Sequence, residues 1–136
     1  MEEVKMTTGT GSCHCEAVTF EFTAPAVISV YRCNCSICVM KGNVHFVVPK
    51  EKFTISQESL DNLSLYQFGT KTARHLTCKT CGVTPFYQPR SNPEGWAITI
   101  MCVKNKDEVF DSITTVDYDG QNWEKQYETS DIKKWA

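Results

Sequence analysis

The sequence predicts a mainly β domain, and three observations predict it. Short runs of alternating apolar and polar residues recur along the chain, rich in Val, Ile, Phe and Tyr. Glycine and proline punctuate these runs at close spacing, and no long stretch carries an apolar repeat near the helical period. A length of 136 residues suits one domain with a real core and is short for two.

Residues 1–9 are small and polar and read as a mobile tail, with the domain over 10–127 and a C-terminal tail over 128–136. Ala17 to Phe22 sets Val18, Phe20 and Phe22 against Thr19 and Glu21, a half-buried strand that Pro25 breaks. Val27 to Arg32 is a second strand by composition. After the Gly42-Asn43 turn comes a third over Val44 to Val48, then a short one at Phe53 and Ile55. Ser59 to Asn62 reads as a turn or a single helical turn. Ser64 to Phe68 and Thr72 to Thr77 flank a break at Gly69-Thr70, and Val83 to Gln88 follows. Ala97 to Val103 is the most strongly β-patterned run, with Ile98, Ile100 and Cys102 on one face. Val109 to Val116 supplies a last strand or two, and Asp119 to Tyr127 a short helix.

The hydrophobic fraction of 41% and charged fraction of 22% are those of a folded globular chain. A formal charge of -2 leaves no electrostatic footprint for nucleic acid. No apolar run is long enough for a bilayer, and the N-terminus lacks the apolar segment of a signal peptide. The expectation is an intracellular protein, cytoplasmic or nuclear, without a membrane partner; its oligomeric state is open. In a reducing compartment, eight cysteines in clusters point to metal before disulfides.

The chain is organised around Cys33-Asn34-Cys35-Ser36-Ile37-Cys38, flanked by Cys13-His14-Cys15 and Cys78-Lys79-Thr80-Cys81. The two-residue gaps at Cys35/Cys38 and Cys78/Cys81 are those of zinc knuckles, where a tight turn aims both sulfurs at one tetrahedral ion. Gly82 stands where such a turn needs freedom from Cβ. Cys33, Cys35 and Cys38 are close enough to share one ion, and sending Cys33 elsewhere would strand a thiolate beside a filled site. Cys13, Cys15, Cys78 and Cys81 then make a complete four-sulfur shell. Soft thiolates in such a shell favour zinc, and saturation makes that site structural.

The trio is one ligand short, as a catalytic zinc requires. The competing reading closes it with Cys102, His14, His45 or His75. Cys102, on an apolar face, reads as a buried free thiol, and His45 as a surface or packing histidine. His14 lies between two ligands and points away from their ion; His75 is the histidine best placed to face a substrate. A three-thiolate zinc is a weak Lewis acid for water, but it can hold a substrate thiol as thiolate and leave it nucleophilic. Attack of such a thiolate on a small electrophile is the reaction this site suits.

These clusters, together with Phe86-Tyr87-Gln88-Pro89-Arg90-Ser91-Asn92-Pro93-Glu94-Gly95, resemble the glutathione-dependent formaldehyde-activating enzyme family, in the branch similar to centromere protein V. The resemblance covers about residues 10 to 127. It implies a zinc-stabilised Mss4-like, or β-tent, fold of several small coiled sheets. It implies two Zn(2+) per chain, structural at Cys13, Cys15, Cys78 and Cys81 and catalytic at Cys33, Cys35 and Cys38. The implied reaction is that of a carbon–sulfur lyase run backwards, joining glutathione and formaldehyde into S-hydroxymethylglutathione. The alternative is a zinc-stabilised interaction module related to centromere protein V, without turnover. Arg90, Ser91 and Asn92 either line the open zinc and hold a polar ligand or merely form a rigid turn, and His75 is a further substrate candidate. Two departures from the family pattern stand out. Glu16 replaces the glycine common after the second cysteine, and Val39 and Met40 precede the single basic Lys41 after the trio.

Overall fold

In a computed structural model, residues 4–33, 36–68, 73–89 and 94–118 are described. The chain is mainly β, and among the described residues its strands form two sheets. The first is three-stranded: β1 (Met6–Ser12) pairs with β2 (Thr19–Pro25), and β2 with β5 (Phe53–Ile55), all antiparallel. The second holds seven strands. In chain order they are β3 (Val27–Cys33), β4 (Val44–Pro49), β6 (Leu63–Tyr66), β7 (Arg74–Cys78), β8 (Phe86–Gln88), β9 (Gly95–Thr99) and β10 (Ser112–Tyr118). Across the sheet the order is β10-β3-β4-β9-β8-β7-β6. Among the described strands only β10 runs parallel to its neighbour, setting Tyr118 opposite Cys33.

Side chains of a strand alternate between faces, and here the alternation sorts two chemistries. Phe20 and Phe22 of β2 meet Phe46 of β4, Phe53 of β5 and Phe86 of β8 in the main core between the sheets. Trp96 stacks on Phe53 at 4.8 Å. The other face of the large sheet gathers Tyr31, Val47, Tyr87, Ala97 and Tyr118, with Cys33 packed against them.

Among the described residues three short α-helices punctuate the strands. α1 (Ser36–Lys41) follows the trio's first members directly. It ends in a Schellman motif: the Asn43 N–H donates to Cys38 O at 3.1 Å and the Gly42 N–H to Val39 O at 3.2 Å. α2 (Gln57–Asp61) is capped by the Ser56 hydroxyl, which accepts from the Ser59 N–H at 3.1 Å, and is the single helical turn expected there. α3 (Lys106–Val109) precedes β10.

Three expectations change. The N-terminal tail gives way to strand at Met6, because β1 pairs residue by residue with β2 through its backbone, which needs no apolar pattern. The run Ala97 to Val103 leaves the sheet at Thr99. There the N–H turns to Pro85 O at 3.0 Å and the hydroxyl donates to Thr84 O at 2.7 Å, and Ile100–Cys102 form a 3-10 turn. Val109 to Val116 divides between the end of α3 and β10. The Gly69-Thr70 break, the helix expected over Asp119 to Tyr127 and the tail over 128–136 lie outside the described residues.

Candidate metal centre

The sulfurs of Cys13, Cys15, Cys78 and Cys81 all lie within 4.8 Å of one another. Cys15 Sγ is 3.7 Å from Cys13 Sγ and 3.6 Å from Cys78 Sγ. A tetrahedral shell with metal–sulfur bonds of about 2.3 Å sets its sulfurs about 3.8 Å apart. The cluster therefore has the size a zinc-type ion needs. None of the described cysteines is in a disulfide.

Two turns build the cluster from residues 63 positions apart at Cys15 and Cys78. In the first, the Cys13 N–H bonds Val18 O at 3.1 Å and the Glu16 N–H bonds Cys13 O at 3.2 Å. Glu16 holds φ at 64°, the left-handed region where a glycine would sit without strain. Its carboxylate accepts from Lys104 Nζ at 2.7 Å, which holds its pKa below the usual carboxylate range. In the second, the Gly82 N–H bonds Cys78 O at 3.0 Å with Gly82 at φ 78°, the conformation its place after the knuckle predicts. The Thr80 and Cys81 N–H groups lie 3.4 and 3.5 Å from Cys78 Sγ, as donors to a thiolate do.

Crowding sets the protonation of these thiols. The backbone N–H groups of Cys15 and Val83 draw the Cys81 thiol down to about 6. At Cys15 the Ala17 backbone also pulls down, but desolvation and the sulfurs of Cys78, Cys13 and Cys81 prevail and push it up to about 11. Four neighbouring sulfurs do not all ionise unaided; a divalent cation removes that obstacle. Cys102, expected on an apolar strand face, instead borders this cluster from its 3-10 turn, half-buried, and burial followed by Cys13 and Cys81 pushes its thiol up to about 11. His14 is exposed.

The other sulfur group sits across the sheet. Cys33 ends β3 on the face of Tyr31, and the buried Cys38 of α1 lies with its Sγ 3.9 Å from the Tyr87 hydroxyl. Cys35, Arg90, Ser91 and Asn92 lie outside the described residues. His75, three residues before Cys78, faces the opposite way, since an odd separation on a strand reverses direction. It is buried and stacks on Tyr87 at 5.0 Å and 17°. That puts it beside Cys38's neighbour and away from the four-sulfur cluster.

His45 is a packing histidine and not a surface one, 3% exposed. The Tyr87 hydroxyl lies 3.2 Å from its Nδ1 and 3.1 Å from its Nε2. The role missed by motif reading is that of Tyr87, which meets Cys38 and, through the same hydroxyl, His45. The available signal is that Tyr31, His45, Tyr87 and His75 occupy alternate strand positions opposite the phenylalanines, but it needs the strand pairing to be read. Lys41, the single basic residue after the trio, turns its ammonium to the Thr84 hydroxyl at 3.0 Å.

No helix among the described residues is long and apolar enough to cross a membrane. A crystal structure of a Rhodobacter sphaeroides protein is similar to this chain, with a TM-score of 0.66 and 32% sequence identity. The likeness covers 79% of this chain and 99% of that one. The profile of the family described as glutathione-dependent formaldehyde-activating enzyme matches residues 8–117, a span that includes all three cysteine clusters. The chain thus belongs to the family of glutathione-dependent formaldehyde-activating enzymes.

Proposed function

We propose that this chain is a carbon–sulfur lyase-type enzyme that adds glutathione to formaldehyde to give S-hydroxymethylglutathione, and reverses that addition. Two zinc ions serve it: a structural one on Cys13, Cys15, Cys78 and Cys81, and a catalytic one on Cys33, Cys35 and Cys38. The observation that carries this reading is the division of sulfurs between faces. Four of them form a closed cluster on one side, while Cys33 and Cys38 stand on the other beside buried polar side chains. When bound there, zinc would supply the charge that keeps a substrate thiol ionised at neutral pH. Arg90, Ser91 and Asn92 are assigned to the polar ends of the substrate, and His75 to the wall of the site through its stacking on Tyr87.

The test is the rate of hydroxymethyl exchange between formaldehyde and glutathione, followed by NMR, in wild type and Cys35→Ser. The variant should lose the catalysed rate and one zinc per chain while the four-sulfur ion stays. Equal rates in the two proteins would sink the assignment. A second reading, an interaction module of the centromere protein V-like branch, draws on the exposed edge strand β6, where Leu65, Tyr66 and the following Phe68 face solvent. It predicts that wild type shows no catalysed exchange at all.

A further inference from the structure

The rings of the two faces differ in one respect. The main core is built on Phe20, Phe22, Phe46, Phe53, Phe86 and Phe110. The face that carries Cys33 uses Tyr31, His45, His75, Tyr87 and Tyr118, all at most 4% exposed. Packing alone would be served as well by phenylalanine there, and burying phenols and imidazoles costs free energy unless each is paired. Two of these rings meet at Cys38: the Tyr87 hydroxyl lies 3.9 Å from Cys38 Sγ and 3.1 and 3.2 Å from the ring nitrogens of His45. The stacked His75 fixes the plane of the Tyr87 ring, at 17° to its own. A phenol held this way can reach a small molecule reacting beside Cys38, and its own oxygen has an imidazole from which to recover a proton.

We propose that Tyr87 is a catalytic residue of the addition, donating its hydroxyl proton to the aldehyde oxygen, and that His45 is the positioning residue that orients and reprotonates it. This rests on the thiol–aldehyde reading above. The substrate thiolate's electron pair forms the new carbon–sulfur bond, and the carbonyl π pair moves onto oxygen. That oxygen takes the proton of the Tyr87 hydroxyl, and the phenolate takes one from a His45 ring nitrogen, which solvent restores. The sum is thiolate, aldehyde and one proton going to the hydroxymethyl thioether. In reverse, Tyr87 and His45 accept the hydroxyl proton as the carbon–sulfur bond breaks.

Tyr87→Phe keeps the ring and its stacking and deletes only the hydroxyl. With the zinc-loaded protein, kcat for S-hydroxymethylglutathione formation should fall about a hundredfold, with KM for glutathione within about twofold on the principle that the hydroxyl acts in the transition state. Zinc per chain should be unchanged, and the solvent deuterium isotope effect on the wild-type kcat should shrink in the variant. A fluorotyrosine placed at position 87 changes acidity with almost no change of shape, so it decides the matter even if Tyr87→Phe fails to fold: kcat must move with the acidity of the phenol. Equal kcat in wild type, Tyr87→Phe and the fluorotyrosine protein would overturn the proposal while leaving the reaction assigned above intact. A wild type without catalysed exchange removes both. His45→Gln should lower kcat with the isotope effect retained; an unaltered kcat there would overturn the positioning role.

Discussion

At the scale of single residues, Glu16 shows how a strained backbone position can serve the site. A non-glycine residue in the left-handed region costs about 1–2 kcal/mol, and Glu16 holds φ at 64° to let Cys13 and Cys15 turn towards one point. Its carboxylate meets Lys104 at 2.7 Å, but both side chains are largely exposed and solvent screens the pair, so it does little to offset that cost. Glu16→Ala and Glu16→Gly lose the pair alike and differ in the backbone cost. Glu16→Gly should therefore be the more stable of the two by about 1 kcal/mol, read from urea midpoints of the zinc-loaded proteins. Equal midpoints would mean that the turn carries no strain.

At the scale of elements, the strands place the chemistry by their two-residue period. β4 turns Phe46 and Val48 to the core and His45 and Val47 away, and β8 does the same with Phe86 and Tyr87. The antiparallel register then sets His75 opposite Tyr87 and Tyr31 opposite His45, so residues far apart in sequence become one row of rings. β1 has a tighter constraint. It crosses the Phe20 ring at Gly11, where a Cβ would lie 2.3 Å from Phe20 Cζ and 2.6 Å from the Cys102 carbonyl oxygen. The ring could shift; the carbonyl belongs to the 3-10 turn and has little room to do so. Gly11→Ala should lose about 1–3 kcal/mol, as overpacked sites do, visible as a lowered thermal midpoint. Because Gly11 adjoins the first cysteine pair, the same variant should release its structural zinc to a chelator faster than wild type does.

At the scale of the whole molecule, the four-sulfur cluster joins the β1–β2 connection to the β7–β8 connection and thereby the small sheet to the large one. Structural zinc sites contribute about 10–16 kcal/mol of apparent binding energy at neutral pH, as much as the entire stability of an ordinary domain. Removing the metal from this cluster should therefore unfold the chain: Cys81→Ser should show the circular dichroism of an unfolded protein at 25 °C, roughly room temperature by the reference of these energies. Cys33→Ser, which touches only the other sulfur group, should keep the native spectrum. Native spectra for both would deny the cluster its structural role. The sequence by itself determined the mainly β class, most strand positions and the grouping of Cys13 and Cys15 with Cys78 and Cys81, because alternation and ligand spacing are local properties. It also located the need for glycine-like backbone at Gly82, since a knuckle forces it within four residues. It did not contain β1, whose pairing runs through backbone atoms that every residue has. Nor did it contain the end of β9 at Thr99, set by bonds to Thr84 and Pro85 from another strand connection. Only the tertiary structure decided that His45 and His75 gather around Tyr87, whose hydroxyl meets Cys38, because a face is shared across strands by hydrogen-bond register, and register is fixed by the packed sheet as a whole.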